Sequence, residues 1–209
     1  DDLSRGLGDV YKRQGLILAS LKMDADTIIA GLLHDVVEDC EISLKTVKKE
    51  FGNNVAKLVD GMTKLLQLDD KLKDQSQAEY FQKMALATAE DVRVVIIKLA
   101  DRLHNLQTIE HLPREKQIKK ARETLELYAP LAHQIGMHKM ATDLEDHSFK
   151  TIHPFRHKLI EQALKKNELN RKTLISKVKK TLRAKFKKND VPADTKGRRK
   201  RIYLSLIHI

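Results

Sequence analysis

Apolar positions recur along most of the chain at helical spacing. Ile28, Ile29, Leu32, Leu33, Val36 and Val37 give a helix that starts after Asp24 as N-cap and ends near Cys40. Before it, Gly15 to Leu21 reads as the end of a helix that begins earlier. Ser43 caps a further helix closing at Phe51–Gly52, and Asn53 or Asn54 begins another that carries Val55, Leu58, Val59, Met62 and Leu65. Residues 66–74 are polar and rich in Asp and Lys, and are expected to form a flexible loop. Val92 to Ala100 is β-branched enough to suggest a strand. It continues to Thr108 without a turn signal, too long for an average strand, so a buried helix is predicted.

Pro113 opens a helix through Ile118, Thr124, Leu125 and Leu127, Pro130 breaks or kinks it, and Gly136 ends the next piece. A short helix then holds Met140, Leu144 and Phe149, and Pro154 opens a last long helix from Phe155 to about Lys188. The expected fold class is all-α. No sustained heptad seam, tandem repeat or low-complexity tract is present.

Polar residues interrupt the apolar pattern in two places. His34, Asp35, Glu38 and Asp39 lie inside an apolar run, and on a helix the pairs 34/38, 35/38 and 35/39 share one side. Lys98, Asp101, Asn105 and Thr108 are spaced i, i+3, i+7, i+10 and share another face. Burying charge costs several kcal/mol per ion unless it is paired or binds metal, so a divalent cation is the obvious partner. His34, Asp35 and Asp101 would leave open positions for water and a phosphate oxygen, and imidazole with carboxylate suits Mn²⁺, Fe²⁺ or Zn²⁺. Glu38 and Asp39 are placed to hold or deprotonate the water. His104, His111, His133, His138, His147, His153 and His157 are expected to pack or sit exposed, and Cys40 to be a small buried filler.

Composition narrows the class. The chain has 209 residues, 41% apolar and 33% charged, enough for a sizeable core in one or two helical domains. A lone cysteine, Cys40, excludes an intramolecular disulfide and agrees with a reducing cytoplasm. No apolar run reaches membrane-spanning length. The net charge of +11 is concentrated: residues 150–201 hold 19 Lys/Arg against 4 Asp/Glu, a local +15 that leaves −4 elsewhere. Such a stretch is either a solvated face or a nucleic-acid contact.

Five motifs in order resemble the hydrolase half of long-form RelA/SpoT alarmone synthetase-hydrolases: His34–Asp39 (HDVVED), Val59–Lys64 (VDGMTK), Lys98–Thr108 (KLADRLHNLQT), Tyr128–His133 (YAPLAH) and Asp143–Asp146 (DLED). The resemblance runs from about Gly15 to Tyr203. It implies an all-helical HD-type domain that uses Mn²⁺ to remove the 3′-pyrophosphate from (p)ppGpp, giving GDP or GTP and pyrophosphate. His34, Asp35 and Asp101 match the metal ligands, and Glu38 and Asp39 the pair that activates water. Asn105 and Thr108 match positions that contact the nucleoside, with Lys98 and Arg102 flanking the same pocket. The family's further metal-binding His, in a His-Pro motif, falls by spacing near Val10 and Tyr11, which do not match.

The expected organisation is therefore non-native or disordered sequence over 1–14, an N-terminally truncated HD-type hydrolase domain over 15–150 and a basic helical linker over 151–195. Residues 196–209 would be the start of a truncated synthetase domain and a non-native tail. Two other readings stay open: a catalytically silent helical module that binds RNA or a ribosome through residues 150–201, and an HD-type hydrolase of another nucleotide.

Overall fold

A computed structural model of the chain describes residues 13–35, 37, 42–72, 91–166, 168–193, 195 and 203, with backbone alone at 66–72 and 168–172. The described residues contain helices and no strand, so the fold is all-α. None of these helices is long and apolar enough to cross a membrane. The chain divides into two compact units, residues 1–148 and 149–209.

In the first unit, α1 is described over residues 13–20, in keeping with a helix that begins before Gly15, and buries Gln14 and Leu18. Next comes α2 (Ala25–Leu33), whose N-cap is Asp24: the carboxylate accepts from the Thr27 N–H and from Thr27 Oγ1, both at 2.7 Å. Asp24 also receives Arg93 Nη1 at 2.9 Å, tying the start of α2 to that of α5 (Arg93–Gln107). Between them, α3 (Leu44–Phe51) is capped by Ser43 and ends at Gly52, whose φ of +91° suits glycine. The following helix, α4 (Asn53–Leu72), buries Val55, Leu58, Val59, Met62 and Leu65 and packs on α2, α3 and α5.

Two glycines sit where helices meet closely. A methyl group on Gly31 of α2 would lie 2.5 Å from Leu18 Cδ1 and 3.7 Å from Ile97 Cγ2, and one on Gly61 of α4 would lie 2.8 Å from Val94 Cγ2. At 2.5 and 2.8 Å a Cβ would overlap the buried Leu18 and Val94 side chains, so absent side chains set how near α1, α2, α4 and α5 come.

Expectations change at several points. The helix of Ile28 to Val37 stops at Leu33, with His34 as its C-cap. There the Gly31 carbonyl, which a continuing helix would offer to Asp35 N–H, accepts from the His34 ring at 2.7 Å. Of the loop expected over 66–74, residues 66–72 continue α4, since neither Gly nor Pro interrupts them, and 73–74 lie outside the described residues. The kink near Pro130 is a widened turn rather than a break. Helix α6 (Arg114–Glu123) passes through a π turn (Thr124–Tyr128) into α7 (Ala129–Gln134), and Ala129 N–H donates to Thr124 O. Pro130 has no N–H to give, and the wider turn accommodates that gap.

Gly136, at φ +80°, ends α7, and Met137 N–H returns to Ala132 O at 2.8 Å in a Schellman closure. The division between the units falls within α8 (His138–Ile152), which has 15 residues rather than being short.

The second unit contains α9 (Pro154–Lys166) and α10 (Glu168–Lys188), which lie along the span expected to be helical from Phe155 to about Lys188. Residue 167 lies outside the described residues. The Phe149 ring packs near His153, His157 and Tyr203, with centroids 5.5, 6.2 and 6.1 Å away.

Candidate metal centre

His34 is brought to the end of α2 by the apolar face beneath it and is only 2% exposed. Its Nδ1 donates to the Gly31 carbonyl at 2.7 Å, and its Nε2 lies 2.9 Å from Asp35 Oδ1. Burial disfavours a charged ring, but the hydrogen bond and charge of Asp35, then Asp101, then the Gly31 carbonyl outweigh it and raise the His34 pKa. Burial likewise pushes the Asp35 carboxyl up, yet His34 and then Lys98 prevail and hold it below the usual range.

The second polar face is assembled on α5. Asn105 Nδ2 donates to Asp101 Oδ1 at 2.9 Å, and Lys98 Nζ stands 3.8 Å from Asp101 Oδ2. Lys98 is buried, and its charge acts on both Asp101 and Asp35. Thr108 caps α5, with Oγ1 donating to His104 O at 3.2 Å. The predicted face is thus realised for Lys98, Asp101 and Asn105, with Thr108 at the end of the helix.

Arg102, expected to flank the pocket with Lys98, engages the end of α6 and the π turn. Its Nη2 donates to Glu123 Oε1 at 3.0 Å and to Tyr128 Oη at 2.7 Å, and the guanidinium carbon lies 4.0 Å over the Tyr128 ring. Glu38 and Asp39 lie outside the described residues, as does the position near Val10.

Among the described residues, no three His, Cys, Asp or Glu side chains converge closely enough to hold an ion. His34 and Asp35 meet, while the Asp101 carboxylate is engaged by Asn105 and Lys98. The donor chemistry nevertheless fits a metal. A histidine ligand ordinarily donates its second N–H to a carbonyl, as His34 Nδ1 does here, leaving Nε2 for the ion. A carboxylate oxygen 2.9 Å from that nitrogen completes a mixed N/O pair.

His104 packs as expected, at 3% exposure, but sequence reasoning missed that its Nε2 finds no hydrogen-bond partner among the described residues and that burial lowers its pKa against the pull of Asp101. Its place three residues after Asp101 was the available signal. Glu123 and Tyr128 converge on Arg102 only in three dimensions. Tyr128 opened a motif used for the resemblance but had no task there.

The chain matches the HD domain family over residues 13–138. HD domains that act as phosphohydrolases are metal-dependent. The chain is 41% identical over 187 residues to the bifunctional (p)ppGpp synthase/hydrolase SpoT of Escherichia coli K12, covering 90% of the chain and 27% of that protein. It is also 41% identical over 187 residues to a guanosine-3′,5′-bis(diphosphate) 3′-pyrophosphohydrolase of Vibrio cholerae, covering 90% of the chain and 26% of the relative. It is 44% identical over 205 residues to a GTP pyrophosphokinase of Streptomyces coelicolor, covering 95% of the chain and 24% of the relative. The chain therefore spans about a quarter of the length of these curated relatives. With the family match running from α1 to the start of α8 around the His34–Asp35 pair, the chain belongs to the HD domain family.

Proposed function

We propose that this chain carries a metal-dependent 3′-pyrophosphohydrolase of (p)ppGpp, releasing pyrophosphate and leaving GDP or GTP. The observation that carries the reading is His34, whose Nδ1 is committed to the Gly31 carbonyl while Nε2 meets Asp35. The names of the relatives support the substrate class. We assign His34, Asp35 and Asp101 to a divalent ion, with Mn²⁺ as the preferred one. Such an ion acidifies water and offsets the negative charge that develops at phosphorus.

The chain's own residues would do the rest. Glu38 and Asp39 would orient the attacking water and take its proton. Lys98, already drawn toward Asp101, would neutralise a phosphate oxygen. Asn105 and Thr108, at the C-terminal half of α5, would meet the nucleoside. We place the protein in the cytoplasm, where a nucleotide substrate and a reduced Cys40 are expected together.

The test is release of pyrophosphate from ppGpp with added Mn²⁺, on this chain and on a version carrying His-Pro at positions 10 and 11. A rate that appears with Mn²⁺ and disappears in Asp101→Ala supports the reading. A folded, restored protein that binds Mn²⁺ and leaves ppGpp intact while hydrolysing another nucleotide would favour the alternative HD-type substrate.

A second reading has its own observation. On α10, Lys177, Lys180, Lys185, Lys187 and Lys188 are exposed, which suits RNA or a ribosome. In filter binding against salt, retention of RNA that weakens steeply as salt rises supports it. No retention at low salt removes it.

A further inference from the structure

We infer that Arg102, Glu123 and Tyr128 form a clamp that fixes the rotation of α5 and thereby positions Asp101 for the metal. The inference rests on the reading of Asp101 as a ligand and goes beyond it, since none of the three clamp residues would touch ion or nucleotide. Arg102 follows Asp101 directly, so it leaves α5 about 100° further round the helix. Asp101 acts on His34, whereas Arg102 meets the π turn and the end of α6.

The clamp is specific in three ways. Arg102 is buried at 9% exposure, so its charge needs a partner, and Glu123 Oε1 supplies one at 3.0 Å. Its Nη2 reaches Tyr128 Oη at 2.7 Å, which fixes the direction of the fork. Its planar face stacks over the Tyr128 ring at 4.0 Å, which fixes the tilt. Apolar contacts such as those of Leu99 and Leu103 are non-directional and hold α5 through packing alone. A guanidinium held by an anion, a hydroxyl and a ring resists rotation.

The consequence reaches the site through one residue. With α5 held, Asn105 Nδ2 can fix the Asp101 carboxylate at 2.9 Å. A shift of about 1 Å in a positioned group can cost on the order of 100-fold in rate. Tyr128 is fully buried and held within the π turn, so the clamp has little freedom to adjust.

The experiment compares wild type with Tyr128→Phe, Glu123→Gln and, as a control for lost stability, Leu144→Ala. Leu144 is a fully buried residue of α8 outside the clamp. Three quantities are measured: the Asn105 side-chain amide signal by ¹⁵N NMR without metal, Mn²⁺ affinity, and kcat and KM for ppGpp. In both clamp variants the amide signal moves, the Mn²⁺ Kd rises by about 10-fold, and kcat falls while KM changes by less than about 2-fold. In Leu144→Ala, compared at an equal distance below its melting temperature, all three stay at wild-type values.

An Asn105 signal at its wild-type position in Tyr128→Phe overturns the clamp, whether or not the enzyme is active. If the signal moves but wild type neither binds Mn²⁺ nor releases pyrophosphate, the clamp stands and the hydrolase reading fails.

Discussion

His34 Nε2 and Asp35 Oδ1 stand 2.9 Å apart while His34 Nδ1 is committed to the Gly31 carbonyl. Both ring nitrogens therefore face acceptors. The ring must carry a second proton, or its Nε2 lone pair must meet a cation. Proton and metal compete for the same place.

That competition fixes the sign of the pH dependence. The folded His34 pKa is raised, so its stabilisation is full below about 6.5, the unfolded value, and is lost as pH rises through the folded value. Asp35 is lowered, so its contribution is present above about 3.9 and lost as pH falls through its folded value. Metal-free protein should lose melting temperature as pH rises above about 6.5, while Mn²⁺ affinity rises in the same direction. Metal-free melts and Mn²⁺ titrations of wild type and His34→Gln check this. Parallel curves for the two proteins would sink it.

Asp101→Asn should keep the fold, because an amide oxygen can still accept from Asn105. It should lower Mn²⁺ affinity and reduce Mn²⁺-dependent pyrophosphate release by about 100-fold or more, at or beyond the loss seen when a supporting group is removed. Circular dichroism and a continuous pyrophosphate assay decide it. An unchanged rate would remove Asp101 from the ligand set.

Gly31→Ala tests the close approach of α1, α2 and α5. An alanine in mid-helix gains about 1 kcal/mol of propensity. Here its methyl meets Leu18 Cδ1 at 2.5 Å, so the fully buried Leu18 side chain must shift. Overpacking costs about 1–3 kcal/mol, so the net change is a loss of up to about 2 kcal/mol. A urea melt reads it directly. A more stable variant would show that the contact relaxes freely.

Asp24→Ala should cost about 1 kcal/mol by removing the cap on α2, together with the tie to Arg93. The hydrogen bonds to Thr27, then Arg93, hold the Asp24 carboxyl below its ordinary range. Its stabilisation is therefore present above about 3.9 and fades as pH falls through the folded value. Acid unfolding followed by circular dichroism should show a gap between wild type and variant at neutral pH that narrows below about pH 4. A gap of constant width would exclude a charged cap.

Much of this architecture could be read from local chemistry. Asp24 and Ser43 carry their caps in their own side chains, Gly52 and Gly136 end helices through their backbone freedom, and the length of Val92–Thr108 outweighs its β-branched residues. The meeting of His34 and Asp35 follows from their adjacency. What sequence did not show depends on partners far along the chain or on a local competitor. Arg102 turns to residues 21 and 26 positions away. Helix α2 ends at Leu33, where the His34 ring meets the Gly31 carbonyl, a contact that apolar periodicity cannot register.

The π turn at Thr124–Tyr128 holds one residue more than regular α-helix would need. Deleting a single residue there would restore ordinary spacing locally. Because the wide turn absorbs that extra residue, the later side chains of the rod would keep their places, Leu131 and Ala132 in the core among them. The irregular turn therefore confines the surplus to one place, beside the Tyr128 that meets Arg102.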